Sequence, residues 1–429
     1  MTLSEWAIDY VNLVLAVGRH DGNFVDAYYG PKSWQAAAEA GAPRPLTELR
    51  AEAQRLLEGI AASAAQGDDL LRREYLLGQL GAVDAHVARL AGQAFTFDEE
   101  AEALYQVRPP RTAEATFEQA LARLDEILEG PGSVQDRYQQ ARERVLVPVP
   151  RVDAVFQAAI AAARERTRRH ATLPAADHFR VEYVTGKSWS AYNWYQGGGH
   201  SVIQVNLDLP IAMDRALDLA AHEGYPGHHV YNALLEQRFA QPPPEGRDWV
   251  EFTVYPLFSP QSLIAEGTAN FGIEVAFPGE ERLAFERDVL FPLAGLDPAE
   301  AERWTRVQGE MKVLAFADNE AARGYLDGHL DRAAAEAYLV RYSLRTEAQA
   351  AQRLRFIDTY RSYVINYNLG EQLVRTWVEG QGGTVADPGR RWAVFVELIS
   401  SPRLPRALGL QGGPSWTLGA VKSSPGLMN

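Results

Sequence analysis

Apolar residues recur at helical spacing through most of this 429-residue chain, and that pattern predicts a mainly helical protein. Glycine and proline separate the helical segments of the N-terminal part, which are Glu5 to Val17, Leu46 to Ile60, Asp69 to Leu90 and Thr112 to Leu128. A further helix is expected from Val152 to Arg169, and the four arginines near its end suit a solvated helix terminus.

Strand character is concentrated near the middle of the sequence. Phe179 to Val184 and Ser201 to Asn206 are predicted as strands, with a turn-rich, aromatic stretch from Gly186 to Gly199 between them. Helical spacing returns at Pro210 and continues toward the C-terminus. The predicted fold class is therefore mainly α with one small β-sheet, contained in residues 179–206.

The length allows two or three domains. We expect an N-terminal helical lobe at residues 1–150 and a second unit at residues 151–410 that carries the small sheet. The last residues, 411–429, are rich in glycine, proline and serine and are predicted to form a loose tail.

Composition narrows the classes of function. Lys plus Arg is 42 and Asp plus Glu is 56, so the net charge of −14 argues against nucleic-acid and anionic-membrane partners. Neither a targeting segment nor a long apolar run is visible, so we expect a cytoplasmic protein. Cysteine is absent, and any transition-metal site must therefore use His, Asp or Glu. Three of the nine histidines lie between positions 222 and 229.

The crowded histidines predict a metal site. Zinc hydrolases often place two histidines one turn apart on a helix, with a glutamate beside the first that acts as a base toward water. His222 and Glu223 fit this arrangement, but Pro226 stands where the second histidine is expected. A bulge at Pro226 and Gly227 favours His228 over His229 as the second ligand. The competing interpretation is a polar turn whose histidines are held by hydrogen bonds.

A third protein ligand is expected on the next helix, which Ser259 and Pro260 begin. Glu266 lies there among small apolar residues, where a buried carboxylate is costly unless it binds a cation. Glu274, two turns later, is the alternative ligand, and Asn270 between them is a candidate partner for a ligand histidine.

A hydroxyl donor for the oxyanion is also needed. Tyr360, Tyr363 and Tyr367 share one face of a predicted helix, and they form either an aromatic core stripe or part of the site. Tyr367, between two asparagines, is the preferred catalytic candidate.

Substrate contacts are less specific in the sequence. The strand Ser201 to Asn206 either binds an extended peptide by strand addition or is a core strand. Arg361 and Arg375 either hold a substrate carboxylate or form structural ion pairs.

The segment from His222 to His229, followed by Glu266 and Gly267, resembles the bacterial family named domain of unknown function 885. The resemblance is strongest over residues 197–277, and that family is grouped with the gluzincins of peptidase clan MA. It implies that His222, His228 and Glu266 bind the metal and that Glu223 is the general base. It also implies a two-lobed helical body with an active-site cleft.

The C-terminal third departs from that family, because Asp318 to Ala322 replaces a pattern that ends in histidine. This departure leaves the substrate class open. The predicted function is a zinc-dependent hydrolase with one metal ion that cleaves short peptides. The alternatives are a metal-dependent amidase or esterase and a non-catalytic metal-binding or ligand-binding protein. The sequence does not fix the oligomeric state.

Overall fold

The computed structural model describes residues 1–187, 189–242 and 246–409, and it confirms a mainly helical fold. The predicted tail at 411–429 lies outside the described residues. The N-terminal helices are α1 Leu3–Val17, α2 Lys32–Glu39, α3 Leu46–Ala62, α4 Asp68–Leu90, α5 Phe97–Tyr105, α6 Glu114–Ile127, α7 Val134–Arg144 and α8 Val152–Arg168.

The helices that follow the central sheet build most of the surroundings of the histidines. They are α9 Met213–Leu219, α10 His228–Leu235, α11 Pro260–Ala276, α12 Glu280–Phe285, α13 Phe291–Ala294, α14 Glu300–Leu314, α15 Ala317–Leu326, α16 Arg332–Tyr342, α17 Glu347–Tyr360, α18 Ile365–Gly380 and α19 Pro388–Ile399. Short π-helical segments cover Ala220–Gly224, Glu236–Ala240 and Glu286–Leu290.

Two small sheets replace the single predicted one. Strands β1 Val25–Tyr28 and β5 Val254–Pro256 pair antiparallel, while β2 His178–Val184, β3 Ala191–Gly197 and β4 His200–Asn206 form a sheet in the order β2-β4-β3. The turn-rich prediction for 186–199 was wrong for the part that forms β3, whose aromatic residues pair with β4 across a glycine turn. The pairing of β1 with β5 joins residues far apart in sequence, which local pattern does not reveal.

The position of β4 settles one of the open alternatives. The predicted strand Ser201 to Asn206 is the central strand of its sheet, paired with β2 on one side and β3 on the other. A substrate therefore cannot add to it, because both of its edges are occupied. The outer strand β3 has no paired neighbour on its far side among the described strands.

Helices α11 and α18 approach each other closely through glycine. A Cβ atom added at Gly267 would lie 2.5 Å from the carbonyl carbon of Gly370, and one added at Gly370 would lie 2.8 Å from the oxygen of Leu263. Only glycine permits backbones to pack at this distance. The contact brings Glu266, on α11, against the tyrosines that precede and begin α18.

Most buried apolar side chains of both predicted lobes belong to one connected core, which runs from Leu3 to Leu408, and Ala321, Leu339 and Ala350 form a second small cluster. The division near residue 150 stays a prediction. Across the ranges described, the structure contains no helix long and apolar enough to cross a membrane.

Candidate metal centre

The segment that carries the histidines makes a tight reversal. Helix α9 ends at Leu219, the π-helical segment Ala220–Gly224 follows, and α10 begins at His228 after a cis Tyr225–Pro226 peptide bond. The Gly227 amide donates to the carbonyl oxygen of Ala221 at 3.0 Å. A Cβ atom at Gly227 would lie 2.5 Å from that same oxygen, and glycine is therefore required for this closure.

The reversal brings His222 and His228 together. Their Nε2 atoms are 3.0 Å apart, and their rings meet edge to face at 4.6 Å between centroids. Glu266 faces both, with Oε2 3.3 Å from His222 Nε2 and Oε1 3.6 Å from His228 Nε2. Three potential ligand side chains from two separate chain segments therefore converge.

Glu223 lies beside this group. One ligand atom from each of His222, Glu223 and His228 lies within 4.8 Å of the other two. Glu266 approaches the two histidine nitrogens more closely, which favours it over Glu223 as the third ligand. The Glu223 side chain is only 6% exposed, and its carboxylate has no hydrogen-bond partner among the described residues.

Burial and mutual charge perturb all four groups. Burial raises the pKa of Glu223 to about 7. Burial also lowers the pKa of His228 to about 4, and the positive charge of His222 acts in the same direction. Burial opposes the charged form of His222, but Glu266 and Glu223 outweigh it and raise its pKa to about 8. Burial likewise opposes ionisation of Glu266, and the two histidines lower its pKa nonetheless. Such interdependence is typical of functional sites.

Asn270 fixes the orientation of His222. Its Oδ1 lies 2.9 Å from His222 Nδ1, and its Nδ2 donates to the carbonyl oxygen of Tyr367 at 2.8 Å. Because Nδ2 is the donor toward Tyr367, Oδ1 is the acceptor toward His222, whose proton is therefore on Nδ1. Nε2 is therefore the nitrogen of His222 that faces Glu266 and His228.

The three tyrosines do not share one continuous helix. Tyr360 ends α17, Tyr363 lies in the 3₁₀ segment Arg361–Val364, and Tyr367 is in α18, so the prediction of a single helical face was wrong. Their rings nevertheless stay in contact, at 6.1 Å and 5.8 Å between successive centroids. The Tyr363 hydroxyl donates to Glu266 Oε1 at 2.8 Å.

Tyr367, the predicted catalytic tyrosine, lies in the same cluster. Burial raises its pKa well above the usual value, and the charges of Glu266 and Glu223 act in the same direction. Its hydroxyl has no hydrogen-bond partner in the described part of the chain. Tyr363 is thus committed to Glu266, whereas the Tyr367 hydroxyl is available to a ligand.

The alternative ligands are engaged elsewhere. His229 is fully buried and bonds Asp177 and Ser201, each at 2.8 Å. Glu274 forms ion pairs with Lys312 at 2.8 Å and Arg375 at 2.7 Å. Neither side chain reaches the convergence point of the two histidines and Glu266.

The arginines considered as carboxylate binders are also occupied. Arg361 pairs with Glu100, and Arg375 pairs with Glu274 and Glu371. The ion-pair interpretation therefore describes both better than a substrate-binding role.

Two further residues near the site, Asp26 and Tyr192, are not among the site residues predicted from the sequence. Asp26, in β1, accepts a hydrogen bond from the Tyr192 hydroxyl of β3 at 2.6 Å. Burial raises the pKa of Asp26 to about 6, and the charge of Glu266 adds to the effect. The aromatic stretch 21–31 was a signal in the sequence, but nothing local linked it to a strand 166 residues away.

Comparisons with known proteins leave the family unassigned. No family model matches the chain, and no curated protein matches it. The structure is similar to that of a candidate lipoprotein from Colwellia psychrerythraea, with 15% identity, a TM-score of 0.50, and coverage of 87% of this chain and 71% of the other. At that identity the likeness describes the fold alone.

More distant similarity extends to two carboxypeptidases. Trypanosoma cruzi metallocarboxypeptidase 1 is 12% identical over 92% of this chain and 89% of that one, with a TM-score of 0.43. The M32 carboxypeptidase from Deinococcus radiodurans R1 is 13% identical over 94% and 91% of the two chains, with a TM-score of 0.38. Membership in the family of domain of unknown function 885 stays a prediction.

Proposed function

We propose that this protein is a zinc-dependent hydrolase that cleaves short peptides, with His222, His228 and Glu266 as the metal ligands. The observation that carries the proposal is that the Nε2 atoms of His222 and His228 converge with the buried carboxylate of Glu266. Glu266 is 7% exposed, and its Oε2 is buried without a hydrogen-bond partner in the described residues. A buried carboxylate left in this state is strongly unfavourable unless a cation completes its surroundings.

The chemistry of these side chains fits zinc. Two imidazole nitrogens and one carboxylate are a frequent ligand set for catalytic zinc, and the absence of cysteine excludes the thiolate alternatives. Asn270 supports the assignment, since metal-binding histidines usually donate their second nitrogen's proton to a fixed acceptor.

A zinc ion bound by these residues would supply Lewis acidity toward a carbonyl oxygen and would make water more acidic. Glu223 accepts a proton from the attacking water and returns it to the nitrogen of the leaving amine. Its environment suits both steps, because burial raises the pKa of this carboxyl to about 7. The Tyr367 hydroxyl donates to the oxygen on which negative charge develops.

A peptide substrate is supported by the outer strand of the central sheet. Strand β3 is adjacent to the metal-binding segment, because Asn193 Nδ2 donates to the carbonyl oxygen of Glu223 at 2.7 Å. Strand β3 pairs with one strand only among those described, and β1 packs against it through side chains such as Asp26, so backbone groups of β3 are left for an extended peptide to pair with. Trp194 on this strand is 57% exposed and offers an apolar contact for a substrate side chain.

The test combines metal analysis with one substitution. Purified protein incubated with zinc and dialysed should retain about one zinc ion per chain. Glu223→Gln should retain that zinc and lose hydrolysis of a dipeptide and tripeptide panel, whereas Glu58→Gln, on the exposed face of α3, should retain both.

The outcomes separate the alternatives. If the protein does not bind zinc, the proposed metal site is wrong. Zinc binding with hydrolysis of esters or acyl amino acids, but not of peptides, shows the amidase or esterase function. Zinc binding without any hydrolysis shows a non-catalytic protein, and full activity in Glu223→Gln removes Glu223 from the mechanism.

A further inference from the structure

Asp26, on β1, is linked to the metal-binding segment through the neighbouring strand β3. Its carboxylate Oδ1 accepts a hydrogen bond from Tyr192, and the next residue on that strand, Asn193, holds the backbone of Glu223. Strand β1 is therefore connected to the metal-binding segment through two adjacent residues of β3. The electrostatic influence of Asp26 on both Glu223 and Glu266 agrees with this proximity.

The Asp26 carboxylate has no cationic partner in the described structure. Tyr192 is the one hydrogen-bond donor to its side chain there, and it contacts Oδ1 only. Oδ2 is not among the buried polar atoms, so it remains open to a ligand. An ionised carboxylate that is largely withdrawn from water favours a positively charged group.

The charge balance of the site points the same way. Asp26, Glu223 and Glu266 together carry three negative charges when ionised, and a divalent metal ion neutralises two of them. The carboxylates next to the metal position are Glu223 and Glu266, so the charge of Asp26 remains beside the bound substrate. The positive charge of Arg215 acts on Glu223 and lowers its pKa, but Arg215 pairs with Asp218 and is half exposed. A monovalent cation supplied by the substrate would balance the remaining charge.

Aromatic rings pack against Tyr192, the residue that holds Asp26. Tyr192 contacts Trp189 at 5.9 Å and Trp194 at 6.0 Å between ring centroids. A carboxylate next to such an aromatic cluster is suited to an ammonium group, because the carboxylate supplies an ion pair and the nearby rings can supply cation–π contact. A substrate carboxylate would instead be repelled by Asp26, and Arg361 and Arg375 are already paired with glutamates.

We propose that Asp26, oriented by Tyr192, binds the free α-ammonium group of the peptide substrate. The enzyme would then act on peptides with an unblocked N-terminus and would discriminate against N-acylated ones. This inference rests on the proposed function, because it takes the metal centre as the place where the peptide is bound.

Binding and hydrolysis test the inference separately. The binding measurement uses zinc-loaded Glu223→Gln protein in a calorimetric titration with trialanine and with N-acetyl-trialanine. Trialanine should bind at least about 10-fold more tightly, since acetylation removes the charge that Asp26 recognises. Adding Asp26→Asn should reduce this preference to less than about twofold. Adding Asp69→Asn, which removes an exposed carboxylate on α4, should leave the preference intact.

The hydrolysis measurement compares kcat/KM for the same two peptides with wild-type protein, and the same preference is expected. Equal binding and equal hydrolysis of the two peptides overturn the role of Asp26 and leave the proposed function standing. A preference for trialanine in binding, without hydrolysis of either peptide by the wild type, overturns the proposed function and supports the ammonium site. Absence of binding by both peptides overturns both proposals.

Results with Asp26→Asn and Tyr192→Phe can each contradict the role of Asp26. A preference that survives Asp26→Asn assigns the ammonium contact to another group. If Asp26→Asn does not fold, Tyr192→Phe removes the hydrogen bonds from the Tyr192 hydroxyl to the carboxylate and backbone oxygen of Asp26, and the preference should fall about twofold to fivefold. An unchanged preference in Tyr192→Phe would contradict orientation by Tyr192.

Discussion

Gly227 is the residue on which the approach of the two histidines most directly depends. In Gly227→Ala, the new Cβ would overlap the carbonyl oxygen of His222 and would lie 2.5 Å from both the Ala221 oxygen and the His222 carbonyl carbon. Contacts below 3.0 Å are essentially not seen for Cβ atoms, so the two contacts at 2.5 Å already require a shift of 3.0 − 2.5 = 0.5 Å, and the overlap with the His222 oxygen requires a larger one. A shift of about 0.5 Å is the limit within which a metal site keeps its geometry.

The expected result is a loss of both metal affinity and stability. Zinc affinity should fall by about 10-fold to 100-fold, as it does when the support of a ligand is disturbed. The free energy of unfolding without metal should fall by about 1–3 kcal/mol, the usual effect of forcing extra atoms into a packed region. Competition with a chromogenic chelator measures the affinity, and urea unfolding of the metal-free protein measures the stability.

The matched control is Gly309→Ala, at a helical glycine of α14 with no atom within 4 Å of the added Cβ. This change should stabilise the protein by about 0.5–1 kcal/mol, because alanine is the better helix former, and zinc affinity should not change. The steric argument fails if Gly227→Ala binds zinc within about twofold of the wild type and unfolds within about 0.5 kcal/mol of it.

Three further predictions concern the ligands, their support and the acid stability of the fold. Glu266→Ala should abolish zinc retention and Glu274→Ala should preserve it, and the reverse result by metal analysis would exchange their roles. Asn270→Ala should weaken zinc binding by about 10-fold to 100-fold in the chelator assay, because it frees the orientation of His222; unchanged affinity would show that Asn270 is dispensable. Burial raises the pKa of Asp318, but two paired arginines and a serine hydroxyl outweigh it and lower the pKa from 3.8 to about 2. The ionised form therefore contributes on the order of 2 kcal/mol above the unfolded-state pKa, and this contribution is lost as the pH falls through the folded-state value. Urea unfolding between pH 3.8 and about pH 2 should show that the free energy of unfolding depends less on pH in Asp318→Asn than in the wild type. The same pH dependence in both proteins would contradict the contribution of Asp318.

The sequence was most informative where the site depends on local spacing. His222 and Glu223 are adjacent, and the helix-breaking Pro226 and Gly227 indicated which later histidine could return to the first. Glu266 was recognisable because a carboxylate stood alone among small apolar residues, and the structure places it against both histidines.

What the sequence did not reveal depends on contacts between distant segments. Asp26 and Tyr192 are separated by 166 positions, and neither residue type is unusual in its own neighbourhood. The fixed position of His229 depends on Asp177, 52 positions earlier, whose carboxylate also accepts bonds from Tyr225, Arg164 and Arg168. Strand pairing and buried ion networks of this kind are decided by the tertiary fold, which overrides local preference.

The glycine contact between α11 and α18 has a consequence for motion. Where two helices meet through side chains, they can slide as rotamers exchange, but Gly267 and Gly370 have no rotamers to exchange. The spacing between Glu266 and the tyrosines near the start of α18 is therefore fixed by direct contact between the two helix backbones. Amide protons on both helices near this contact should exchange with deuterium only through large-scale opening, so the rigid part of the centre extends well beyond its ligands.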